Sequence, residues 1–244
     1  MTFDKQTIAL ISIVGSSLDV LGALYLAYDL LGGEHGPLRT LTRAVTYGLL
    51  FGCGYGLALG PMFGLAAGVT HGITLAWELS RASKGQLKPG FWYDTAMSGI
   101  RGLGFGLGTA WLYGGMFGLI FGVLSTVGQA ALYRLGIRPT ADYRPAMHPR
   151  LTRMQVLAGL NRAAGYAASG YLIALVIRHP DAVSIGVRLG LTIGAVTVIS
   201  GTCTPLIEWG ADHVPEKRMG VIGVGLIIVG FSLQSVQYWM ALAG

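Results

Sequence analysis

Apolar residues fall into six blocks separated by shorter polar stretches. Four blocks are Thr7–Leu31, Met154–Ile177, Ile185–Trp209 and Met219–Leu242, each about 24 residues. At a rise of 1.5 Å per residue, each predicts an α-helix that crosses a hydrocarbon core of roughly 30 Å. The other two, Ala44–Leu79 and Met97–Tyr133, run about 36 residues with almost no charge. As unbroken helices they would be about 54 Å long, which tilt alone does not absorb. Each has a breaker near its middle, Gly60-Pro61 in the first and Gly114-Gly115 in the second. Proline removes an i→i−4 bond and glycine costs about 1 kcal/mol in a helix interior. The pattern therefore predicts two helical hairpins, each of two spans of about 16 to 18 residues.

The two hairpins read as copies. Met62-Phe63-Gly64-Leu65 recurs 54 positions later as Met116-Phe117-Gly118-Leu119. The same offset carries Gly48, Gly52, Gly60, Gly64 and Gly68 onto Gly102, Gly106, Gly114, Gly118 and Gly122, while Gly56 and Gly72 meet Ala110 and Thr126. Small residues at a strict four-residue period let helix backbones approach closely, as in GxxxG pairs. A shorter stripe, Gly186, Gly190 and Gly194, lies in the block Ile185–Trp209. The glycines do not form a nucleotide loop: neither G-x-G-x-x-G nor a Walker lysine is present, and no strand precedes them.

Composition agrees with the pattern. Only 11% of residues are charged and 52% are hydrophobic, which leaves too little polar surface for a water-soluble fold of this size. The expected fold class is an all-α polytopic integral membrane protein with about eight membrane segments. The whole chain, 1–244, is expected to be one membrane domain: a first span at 7–31, hairpins at 44–79 and 97–133, and a three-span bundle at 154–242. The net charge of +6 would suggest nucleic acid in a soluble protein. Here the basic residues sit between apolar blocks and read as topology determinants instead. Under the hairpin reading, Arg39, Arg43, Arg81, Lys84, Lys88, Arg101, Arg134, Arg138, Arg144, Arg150, Arg153, Lys217 and Arg218 collect on one side. Only Lys5, Arg178 and Arg188 fall on the other. The positive-inside rule then places the basic loops in the cytoplasm of a cell membrane, against anionic lipid headgroups. Cys53 and Cys203 lie inside apolar blocks without CxxC spacing, so neither a disulfide framework nor a structural metal is expected.

Polar residues inside the apolar blocks are the candidate sites, because burying them in lipid is costly. Asp19 and Arg162 lie at similar depth under this topology. They are expected either to pair and fix helix register, or to face a hydrated path that takes an ion, a proton or an anionic group. His71 is the one histidine inside an apolar block, and its expected role is an interhelical hydrogen bond. Gln129, Gln234 and Gln237 add polar faces, and Gln234 and Gln237 are neighbours on one helical surface. Glu78 and Glu208 fall near block ends and read as interface residues, beside Arg81 and beside Lys217 and Arg218.

No nucleophile–base set, carboxylate pair or metal cluster stands out, so the sequence does not lead to an enzyme, and no cofactor is expected. The reading favoured is a small permease or channel-like protein for an ion or small solute. The alternatives are a non-catalytic scaffold or accessory subunit, with a homo-oligomer or membrane-protein partner, and a membrane-embedded lipid enzyme.

Overall fold

Both breakers end a helix. In the computed structural model, α2 (Arg39–Leu59) stops at Gly60 and α3 (Pro61–Ser83) begins at the next residue. Gly60 has φ of +108°, a conformation that side chains rarely adopt, and Pro61 takes the first helical position, where its missing donor is not needed. The same device separates α4 (Phe91–Tyr113) from α5 (Gly115–Arg134) at Gly114, whose φ is +97°. The remaining helices are α1 (Lys5–Leu30), α6 (Arg153–Val176), α7 (Ala182–His213) and α8 (Glu216–Ala243). Residues 5–30, 39–83, 85–86, 90–135, 147–213 and 216–243 are described, and among them there are eight helices and no strand. Helix α6 opens with a capping box, in which Thr152 Oγ1 accepts from the Gln155 backbone and the Gln155 side chain accepts from the Thr152 backbone.

Among the described residues, three helices are long and apolar enough to cross a membrane: Gly115–Arg134, Ala182–Gly210 and Arg218–Val236. A shorter apolar helix runs over Ile11–Ala27. Helices α2, α3, α4 and α6 carry charge within them, including Arg43, Glu78, Arg101 and Arg162, which lowers their apolar content. The chain thus has the helices of a membrane protein.

The chain forms two compact units. One combines Met1–Thr42 with Ala211–Gly244, so that α8 groups with α1 rather than with α6 and α7. Glycines explain that grouping. A methyl group at Gly15 would lie 2.7 Å from the Gly230 carbonyl oxygen, and one at Gly223 would lie 2.6 Å from that of Gly22. The two helices run antiparallel with backbones nearly touching.

The other unit, Arg43–Gly210, holds six helices in which each is antiparallel to the next. Gly48, Gly52 and Gly56 of α2 face Gly68 and Gly64 of α3, and Gly102 and Gly106 of α4 face Gly122 and Gly118 of α5. Gly104 and Gly108 of α4 meet Thr70 and Phe63 of α3. Gly186, Gly190 and Gly194 of α7 pack on Ala167, Ala163 and Gly159 of α6. Helix α7 returns to α2: Gly54 meets Val196, and Arg188 donates twice to the Ala58 carbonyl, at 2.8 and 3.2 Å. With Gln129 of α5 bonded to Tyr166 of α6, the six helices close a ring.

Two further stripes share the four-residue period of the glycines. One position before the glycine stripe, and continuing its period, runs an inward stripe: Tyr47, Phe51, Tyr55, Leu59, Phe63, Ala67, His71, Leu75 and Leu79, all buried. Its counterpart in α4 and α5 includes Arg101, Phe105, Thr109, Phe117, Phe121, Ser125, Gln129 and Tyr133, also buried. Outward stand Leu65, Val69, Ile73 and Trp77, then Leu103, Leu107 and Trp111, then Leu119, Val123 and Val127. Charge inside and leucine outside inverts the order of a soluble protein and suits an apolar surrounding.

Candidate functional site: a polar interior at one end of the ring

Two buried arginines of the ring are each met by a buried carboxylate and a hydroxyl. Arg101, ten residues into α4, is held from three directions. Its Nε donates to Thr74 Oγ1 at 2.8 Å, its Nη2 to Glu78 Oε2 at 2.9 Å, and its Nη1 to the Tyr133 hydroxyl. Tyr133 donates in turn to the other Glu78 oxygen at 3.4 Å. Three helices, α3, α4 and α5, so converge on one guanidinium. Arg43 makes the second cluster: its Nε and Nη2 fork onto the two carboxylate oxygens of Glu208, and Tyr47 donates to the same carboxylate at 3.0 Å. Arg43 Nη1 has no partner. This cluster joins the first helix of the ring to the last.

Glu208 and Glu78 are the buried counter-ions of Arg43 and Arg101. The block ends mislead because α2 and α4 begin earlier than the apolar runs, at Arg39 and Phe91, which carries Arg43 and Arg101 into the bundle.

Because the helices alternate, both clusters stand at the end where α2, α4 and α6 begin and α3, α5 and α7 finish. Ser98, Ser125, Gln129 and Ser200 are buried on the same side of the middle. Ser98 Oγ, Ser125 Oγ and Gln129 Oε1 lack partners. The opposite end is filled by Leu59, Phe63, Phe117, Ile173, Ile185 and Leu189. Between them lies an aromatic layer. The Phe105 ring sits 5.6 Å from Tyr55, 5.0 Å from His71 and 5.4 Å from Tyr166, and Phe121 sits 5.6 Å from Tyr166.

The residues singled out from sequence spread over both units. His71 lies in the aromatic layer, and its Nδ1 donates to the Ala67 carbonyl of its own helix at 2.8 Å, not to another helix. Gln129 donates to the Tyr166 hydroxyl at 3.2 Å. Arg162, half-buried and one turn before Tyr166, donates to Thr197 at 3.3 Å. Asp19 accepts from Gln234 at 2.5 Å within the other unit, so Asp19 and Arg162 each have a neutral partner close by. The Gln237 side chain and the loop positions Arg138 and Arg144 lie outside the described residues. Among the described residues, no group of three or more His, Cys, Asp or Glu is arranged to hold a metal. The signal that sequence reading missed is the register: Arg43 and Arg101 extend the inward stripes of Tyr47 and Phe105 by one four-residue step.

No protein-family model, curated protein or solved structure matches the chain.

Proposed function

We propose that the chain is a multi-pass membrane protein that works as a small permease or channel-like protein for an ion or small solute. Its route follows the axis of the six-helix ring. The observation that carries this reading is the one-sided interior: two buried Arg–Glu clusters and unpartnered hydroxyls fill one end, and an aromatic and aliphatic layer closes the other. Buried ion pairs contribute little net stability, and apolar replacements of similar volume are often as stable. Keeping two of them in a chain with so few charges points to a working interior. In this reading the clusters gate the polar end, and the layer around Tyr55, His71, Phe105 and Tyr166 is the barrier that must part.

All eight helices cross the membrane in this account. Helices α2 to α5 run 20 to 23 residues, which at 1.5 Å per residue reaches about 30 Å. The two hairpins are tandem copies with glycine seams, and the basic loops face the cytoplasm and anionic lipid. Purified protein in liposomes should pass a small solute or ion, and Arg101→Gln or Phe105→Ala should change that flux at least several-fold. An ion and solute panel that finds no flux above empty liposomes removes the reading.

A second reading, an accessory subunit, has one observation in its favour. Gly99, Gly128, Gly165 and Gly225 sit in helices with nothing within 4 Å of where a side chain would go, although glycine there costs stability. A partner helix would give them a use. A monodisperse single chain in mild detergent counts against it.

A further inference from the structure

We propose that Arg162 and Tyr166 of α6, with Ser125 and Gln129 of α5, form a binding site for a small organic carboxylate inside the ring. The six helices come as three antiparallel pairs, α2–α3, α4–α5 and α6–α7, which meet along three seams. Two of the seams share one construction. Where α3 meets α4, Arg101 is held by the Glu78 carboxylate and the Tyr133 hydroxyl. Where α7 meets α2, Arg43 is held by the Glu208 carboxylate, which also accepts from Tyr47. The third seam, α5 with α6, has the arginine and the tyrosine, but an amide stands where the others have an acid. There Gln129 Nε2 donates to the Tyr166 hydroxyl at 3.2 Å. Arg162, one turn before Tyr166, has as its hydrogen-bond partner among the described residues the Thr197 hydroxyl of α7, at 3.3 Å.

The groups left over at this seam are those a carboxylate ligand would use. Gln129 Oε1 and Ser125 Oγ, one turn apart on α5, have no hydrogen-bond partner among the described residues, although Gln129 is 4% and Ser125 3% exposed. Unpaired polar atoms at that depth cost free energy, so a group that meets them is stabilised there. The Tyr166 hydroxyl accepts from Gln129 and keeps its own proton to donate, and Arg162 spends one of its five N–H donors on Thr197. Both side chains belong to the interior. The Tyr166 ring lies 5.4 Å from Phe105 and 5.6 Å from Phe121, and the Arg162 charge acts on Tyr55 and His71, which are buried in the ring. A guanidinium forks onto a carboxylate, as Arg43 does onto Glu208. The Glu78 and Glu208 carboxylates are engaged at the other two seams, and Asp181 stands beside His179 at the opposite end of the ring. A bound carboxylate supplies an acid at the third seam, accepting from Arg162 and Tyr166. Gln129 Oε1 then suits a donor on the ligand, which favours a short hydroxy acid over acetate.

The site is built from the ring alone and stands without any transport activity. Where the chain does move a solute, which rests on the function proposed above, the carboxylate is its cargo. The test is ligand-observed NMR on the full chain in phosphatidylcholine nanodiscs, with acetate and lactate as probes and chloride as competitor. Both carboxylates should bind, lactate more tightly, and chloride at equal concentration should displace neither. Arg162→Gln should weaken both by about tenfold or more, the worth of a hydrogen bond to a charged group. Gln129→Glu keeps the side chain's shape and brings the protein's own carboxylate to the seam, so it should abolish binding without lowering the melting temperature. Binding that survives both substitutions overturns the proposal. So does the failure of both probes to bind, which would mean that another carboxylate of the chain already holds Arg162. Displacement by equimolar chloride would mark a site for small inorganic anions and overturn the carboxylate assignment. Binding without flux in liposomes counts against transport alone.

Discussion

Arg101 is surrounded by groups that exist to meet it: a hydroxyl from Thr74, a carboxylate from Glu78 and a phenol from Tyr133. Removing one partner leaves the other charge buried and unpaired, which costs roughly 3–5 kcal/mol. Arg101→Met and Glu78→Gln should each lower stability by about that amount in detergent melting curves. The double variant Arg101→Met/Glu78→Met should regain most of it, giving a coupling energy of a few kcal/mol in a double-mutant cycle. Additive losses would show that the pair is not coupled. Sequence alone identified Asp19 and Arg162 because each interrupts an apolar run. Arg43, Glu78, Arg101 and Glu208 escaped because each lies near a block end, where charge is expected at a membrane surface. Burial there is decided by how far neighbouring helices extend, and that is not a property of the local sequence.

At the scale of the helix, the four-residue period was legible, and so were the breaks at Gly60 and Gly114. Glycine is the residue that needs the room, so Gly60, Gly64 and Gly114 report on separate causes. A methyl group at Gly64 would lie 2.6 Å from Gly56 Cα and closer still to the Gly52 carbonyl oxygen. Gly64→Val should therefore destabilise by 2 kcal/mol or more, on the order of other overpacked sites. Gly99→Ala, which meets nothing, should be neutral or stabilise by up to about 1 kcal/mol. Equal effects at both positions would remove the close packing of α2 on α3. Gly114→Ala meets nothing either, yet its φ of 97° and ψ of 158° belong to glycine, so a loss of about 1–3 kcal/mol is expected from backbone strain alone. What periodicity could not give was which of three parallel stripes faces inward. Glycine, aromatic and leucine stripes differ by single positions, and only the closed ring assigns their directions.

At the scale of the molecule, two units follow from where close backbone approach is available: α1 with α8 through Gly15 and Gly22, and six helices through three glycine seams. The grouping of α8 with α1 was not legible, because the last three apolar blocks are of about equal length and follow one another in the sequence. The central claim is that the polar interior of the ring is a route entered from the basic end and closed toward the other. The most direct test is cysteine accessibility in sealed, oriented vesicles, after Cys53 and Cys203 are replaced. Ser98→Cys and Ser125→Cys should react with a membrane-impermeant thiol reagent added on the face of the basic loops, and Leu59→Cys should not. Failure of both serine positions to react from that face, or equal reaction from the opposite one, would contradict the account.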